Sequence, residues 1–169
     1  MSEQPNPITS PGRSAGRRRL WPWAVALAVL LLDQLSKLWA LQHLPTGRIE
    51  PFLPGLLQLR RVANSGAAFS LMTGNSLALG VVSAVVSLAV AGWLLWRPPR
   101  GLWLTLAASL VLAGALGNGL DRWRLGAVVD FLELVPIHFP IFNLADVAIN
   151  AAVACFLFDA WQQRPRRRG

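Results

Sequence analysis

Two aspartates stand in apolar surroundings in a chain that mostly reads as membrane: Asp130 in Val128-Val129-Asp130-Phe131 and Asp146 in Phe142-Asn143-Leu144-Ala145-Asp146. Ionisable groups at bilayer depth are expensive, so each is a functional hypothesis by default. Two carboxyls that meet repel as anions, which favours a pair holding one proton between them. The ionised member can then take a proton from water while the protonated member polarises a peptide carbonyl. The apolar run around Asp130 should desolvate it and raise its pKa. Two unrelated polar groups facing water in an outer loop would account for the same residues, and physics alone leaves both readings open.

Further polar residues share these surroundings. Asp33 and Lys37 are spaced i, i+4 with the acid first, which suits an ion pair on one helix face. A purely structural pair, with Lys37 snorkelling to the interface, fits equally. Asn64-Ser65-Gly66-Ala67-Ala68-Phe69 opens as a polar turn. There Gly66 permits close backbone approach and Asn64 could hold a substrate carbonyl; a plain re-entrant turn is the alternative. In Gly117-Asn118-Gly119-Leu120-Asp121-Arg122, Asn118 and Asp121 share a face if the helix continues that far. Arg122 could pair with Asp121, another acid or lipid phosphate, and capping with salt bridging explains the cluster without catalysis. Asn143 precedes Asp146 by three positions, so its amide can orient that carboxylate, and Asn150 follows at i+4.

These residues must be positioned by membrane helices. Of the 169 residues, 54% are hydrophobic and 14% charged, where soluble domains carry roughly 25% charge. Four runs reach the roughly 20 residues a span needs: Leu20–Leu41, Leu77–Trp96, Leu102–Leu120 and Phe142–Trp161. The predicted fold is an all-α membrane protein of four transmembrane helices with a small β-containing outer loop region. Its sheet is expected in the first outer connection, around Leu53–Val62, where turn residues precede partial alternation. Residues 1–16, rich in Pro, Ser and Gly, predict a disordered basic tail. Residues 17–163 form the helical domain, and 164–169 a second basic tail. The first run is longer than a typical signal-peptide core and reads as an uncleaved span.

The net charge of +8 comes from arginines flanking the spans, which fits topology and contact with a phospholipid membrane rather than nucleic acid. Both arginine-rich ends, and the link carrying Arg97 and Arg100, are expected on the cytoplasmic side. Gln42–Ser76 and Asp121–Ile141 then face outward, and every polar candidate converges near the outer interface. No cofactor is implied. His43 and His138 lack partners at metal-ligand spacing, and the lone Cys155 reads as a small buried hydrophobe. A serine–lysine peptidase using Ser65 and Lys37 is the enzymatic rival. A small transporter or lipid-binding protein is the non-enzymatic one, weakened because no charges run through the midplane.

Taken in order, the five motifs, from Asp33-Gln34-Leu35-Ser36-Lys37 to Phe142-Asn143-Leu144-Ala145-Asp146, resemble those of the lipoprotein signal peptidases, or signal peptidase II. The resemblance covers all four spans. It implies an aspartyl endopeptidase of the bacterial inner membrane that removes the signal peptide of prolipoproteins, cutting just before a cysteine already bearing diacylglyceryl. Carried over by position, Asp130 and Asp146 match the catalytic dyad. Asp33, Lys37, Asn64, Gly66, Asn118, Asp121, Arg122, Asn143 and Ala145 match the family's other motif positions. Asn118, Asp121, Arg122 and Asn143 would support dyad and substrate, with Asn64 and Gly66 on the outer loop. The implied partners are lipid-modified prolipoproteins and globomycin, a cyclic peptide that would occupy the same site.

Overall fold

The structure, a computed structural model, describes residues 13–66, 75–137 and 139–163, with side chains from Leu20 onward. Four helices are long and apolar enough to cross a membrane. In chain order the elements are α1 (Arg13–His43), β1 (Ile49–Leu53), β2 (Leu57–Asn64), α2 (Ser76–Trp96), α3 (Leu102–Leu125), β3 (Val128–Leu134) and α4 (Leu144–Gln162). Helix α1 begins at Arg13, inside the segment expected as tail, and residues 1–12 and 164–169 lie outside the described part.

Helix α3 is the hub, packed against α1, α2 and α4. In its apolar stretch 61% is buried, against 17–22% in the other three helices, whose leucines, valines and phenylalanines point outward. In lipid there is little hydrophobic drive between helices, so small residues that admit close backbone approach hold such a bundle together. Helix α3 supplies them: Ala107, Ala108, Ser109, Ala113, Gly114, Ala115, Gly117 and Gly119 are all buried. A Cβ placed on Gly114 would meet the Ala145 carbonyl oxygen at 2.7 Å. On Gly117 it would stand 2.5 Å from Asp33 Oδ2 and 3.2 Å from Ala145 Cβ. Gly117→Ala is therefore expected to cost about 1–3 kcal/mol of stability by overpacking. Thermal melting in detergent measures it, and an unchanged Tm would remove the packing argument.

Helix α3 runs past the expected end at Leu120 because nothing breaks it before Gly126, which adopts φ 75° and returns its N–H to the Arg122 carbonyl. Asp121 and Arg122 are thus helical. Helix α4 starts at Leu144 rather than Phe142, because Asn143 is its N-cap. At the opposite end of α4, the buried Asp159 bonds to Gln163 and lies beside Gly101, where α3 begins.

The sheet is antiparallel, in the order β1-β2-β3. Its third strand comes from the connection between α3 and α4, and Asp130 lies on it. Val62 pairs with Asp130 and Asn64 with Val128, so Asn64 and Asp130 are diagonal neighbours on one face. Leu59 and Phe131 pack on Ala40 and Leu44, fastening the sheet to the end of α1.

Candidate active site

Five elements deliver polar side chains to one place. Asp130 is buried on β3, with Oδ2 accepting from Asn64 Nδ2 at 2.9 Å and Oδ1 from Asn143 Nδ2 at 2.6 Å. Asp146 lies in the first turn of α4. Its Oδ1 accepts from Asn118 Nδ2 at 2.8 Å and its Oδ2 from the Asn143 backbone N–H at 3.2 Å. Asn143 Oδ1 accepts in turn from the Asp146 N–H at 3.0 Å, closing a capping box. One buried asparagine therefore bonds both carboxylates. The expected contact from its amide to Asp146 is redirected: the amide donates to Asp130, and the backbone serves Asp146. Asn150 bonds the Asp146 carbonyl rather than its carboxylate.

Beneath the aspartates, Lys37 is buried rather than snorkelling. Its ammonium bonds Asp33 Oδ2 at 3.0 Å, Asp121 Oδ2 at 2.9 Å and Asn118 Oδ1 at 3.0 Å. An ammonium has three donors, so none is left for a serine hydroxyl, and the Ser65–Lys37 alternative loses its base. Asp33 Oδ1 accepts the Ala145 N–H at 2.8 Å, which ties α1 to the start of α4. Asp121 pairs with Lys37 and accepts the Val129 N–H at 3.2 Å, anchoring β3 next to Asp130. Arg122 instead donates to the Gly66 carbonyl at 3.0 Å and the Asn118 carbonyl at 3.3 Å. The Gly66 N–H bonds Asn64 Oδ1 at 3.0 Å, which turns the Asn64 amide toward Asp130.

Gln34 was not singled out by sequence reasoning. Its amide lies 3.2 Å from Asp33 Oδ2, Asp121 Oδ1 and the Gly117 carbonyl. Its place one residue after Asp33 was the only signal. Ala67, Ala68, Phe69 and His138 fall outside the described residues. His43 is exposed and stacks on Trp39. Among the described residues no cluster of His, Cys, Asp or Glu has the make-up of a metal site.

Asp130 and Asp146 open on a cavity of about 770 Å³, walled by apolar Val62, Phe139, Pro140, Ile141, Phe142 and Ile149 and by polar Asn64, Asn118 and Arg122. Burial, reinforced by the nearby Asp146 charge, pushes the Asp130 carboxyl up to about 6 against the pull of the Asn64 and Asn143 hydrogen bonds. A buried carboxyl inclined to stay protonated, a second carboxyl and an extended apolar wall suit acid–base chemistry on an extended substrate.

The family model for signal peptidase (SPase) II matches residues 25–162. A lipoprotein signal peptidase of Synechococcus sp. (strain RCC307) is 54% identical over 151 residues, spanning 87% of this chain and 98% of that protein. The lipoprotein signal peptidase of Gloeobacter violaceus is 41% identical over 146 residues, covering 86% and 84% of the two chains. A solved bacterial membrane enzyme superposes with a TM-score of 0.80 at 26% identity, covering 87% of this chain and 91% of that one. A second, also described as a bacterial membrane enzyme, gives a TM-score of 0.76 at 27% identity over 85% and 94% of the two chains.

Proposed function

The chain belongs to the signal peptidase II family, and from that premise we propose that it is an intramembrane aspartyl endopeptidase acting on diacylglyceryl-modified prolipoproteins. It cuts N-terminal to the lipidated cysteine, with Asp130 and Asp146 as catalytic residues. The single observation that carries this reading is Asn143, whose amide and backbone N–H bond the two carboxylates at the wall of one cavity. The peptidase domain spans residues 17–163, between two basic tails. Both termini are cytoplasmic and the site lies near the outer face of a bacterial inner membrane. Arg97 and Arg100 on the α2–α3 link support that orientation by the positive-inside rule.

The pair works with one shared proton. As the water oxygen bonds to the scissile carbonyl carbon, its proton passes to the ionised carboxylate and the protonated carboxyl gives its proton to the carbonyl oxygen. The tetrahedral gem-diol then collapses. The C–N bond breaks, the leaving nitrogen takes the proton from the first carboxyl, and the second recovers its own from the gem-diol hydroxyl. Asn64, Asn118 and Asn143 hold the carboxyls, and Arg122, bonded to Gly66, fixes the loop beside Asn64.

Lipid selects the substrate. Each acyl CH₂ kept in apolar surroundings contributes roughly 0.8 kcal/mol, affinity that an unmodified peptide lacks. A gel-shift assay with purified enzyme should show cleavage of the diacylglyceryl-modified prolipoprotein and not the unmodified one, with a product starting at the lipidated cysteine. Equal cleavage of both would refute the lipid requirement, and a different new N-terminus the cleavage position. A globomycin-type cyclic peptide should compete for the same cavity.

Asp130 also sets a pH dependence of stability. Its folded pKa of about 6 lies above the ordinary 3.8, so the native state holds a proton that the unfolded chain has released between those values. That contribution is full below the lower value and is lost as pH rises through about 6. The difference in Tm between wild type and Asp130→Asn should therefore shift in favour of wild type on going from neutral pH to pH about 5. A pH-independent difference would contradict the burial effect.

A further inference from the structure

The ion cluster beneath the aspartates reaches Asp146 through one side chain, Asn118, and Asp130 through two, Asn118 and Asn143. Lys37 Nζ faces Asn118 Oδ1 at 3.0 Å, and an ammonium can only donate, so the Asn118 atom on that side must be oxygen. Asn143 Nδ2, donating to the same oxygen at 3.1 Å, makes the same demand. The Asn118 amide thus has one permitted orientation, and its Nδ2 is aimed at Asp146 Oδ1, 2.8 Å away.

We propose that Lys37 is a positioning residue that, through Asn118, makes Asp146 the ionised, water-activating member of the pair and leaves the shared proton on Asp130. The inference rests on the dyad reading above and deepens it by giving each carboxyl its role. Two independent features agree. Asp146 stands in the first turn of α4, where the helix dipole favours an anion, and accepts a backbone N–H there. Asp130 is on a strand, fully buried, with neutral side-chain amides as its donors, and burial favours its neutral form. The charged groups around the pair are Asp33 and Lys37 from α1 and Asp121 and Arg122 from α3. Of these, Arg122 is close enough to act on both carboxyls through space, and Lys37 is the one hydrogen-bonded to Asp146 through a single intervening side chain. In the reaction, Asp146 takes the water proton and Asp130 protonates the carbonyl oxygen.

The test is the pH profile of kcat, with KM, on lipidated substrate for two variants that cut the relay at different points. Asn118→Ala leaves Lys37 paired with Asp33 and Asp121. Lys37→Met combined with Asp121→Asn removes the ammonium while keeping the cluster's net charge, and its folded fraction is measured alongside. Without the relay the acid limb of the kcat profile should move to higher pH in both variants. In both, kcat should fall about 10–100-fold with KM near wild type. A merely structural role would lower kcat in proportion to folded enzyme and leave the limb in place, which overturns the proposal. A shift in Asn118→Ala alone also overturns it, because Lys37 would then play no part. Asp130→Asn and Asp146→Asn run alongside separate the two levels. Cleavage surviving in either removes the dyad reading itself, whereas unshifted limbs with both inactive remove only the relay.

Discussion

Asp130→Asn and Asp146→Asn are each expected to lower kcat by about 10³-fold or more while the protein remains folded. Positioned general acids and bases contribute about 10²–10⁴-fold, and removing one carboxyl from a pair that shares a proton disables both roles. Asparagine keeps the shape of aspartate, so the structural cost is small and local. At position 130 its NH₂ would face one of the donors from Asn64 or Asn143, losing one hydrogen bond. At position 146 its oxygen can still accept the Asn143 N–H, while its NH₂ opposes Asn118 Nδ2. Each change costs about 1–3 kcal/mol, visible as a lower Tm and not as loss of the fold. Ser65→Ala is the contrasting control, expected to cleave at the wild-type rate because every Lys37 donor is already engaged. Wild-type cleavage by either aspartate variant would sink the dyad, and an inactive Ser65→Ala would reopen the serine route.

How much of this was legible in the sequence depended on whether the signal was local. Four apolar runs specify four helices, since length and hydropathy are properties of single segments. The i, i+4 spacing of Asp33 and Lys37 gave their ion pair directly, and the three-residue spacing of Asn143 and Asp146 gave the contact between them. Its form was not readable, because a capping box requires knowing that the helix begins at Leu144. Strand β3 was missed for a related reason. Val128-Val129-Asp130-Phe131 is buried throughout, so it lacks the alternation that marks a half-exposed strand, and it pairs with a strand far back in the chain, β2, where Val62 stands opposite Asp130. The third contact of Lys37, with Asn118, and the bridging by Gln34 arise only when α1 and α3 pack. Close approach at Gly117 permits that packing, and no spacing rule within one segment encodes it.

Asn143→Ala should reduce cleavage about 100-fold or more, and a companion variant separates the two reasons. The side chain of Asn143 is fully buried and does two jobs. Its oxygen caps α4 by accepting the Asp146 N–H, and its amide nitrogen donates to Asp130 at 2.6 Å and to Asn118 at 3.1 Å. Alanine removes both. Loss of the cap costs about 1 kcal/mol and loosens the turn that carries Asp146, while Asp130 keeps only its bond from Asn64. Serine restores a capping oxygen but is too short to replace the amide donor. Asn143→Ser should therefore recover the part of the Tm loss that comes from the cap while its kcat stays about 100-fold low. KM should change little in both, since the damage is to the alignment of the carboxyls and not to the apolar walls that hold substrate. Recovery of kcat together with Tm in Asn143→Ser would mean that Asn143 acts only through the helix cap, and that the hydrogen bond to Asp130 does not align the pair.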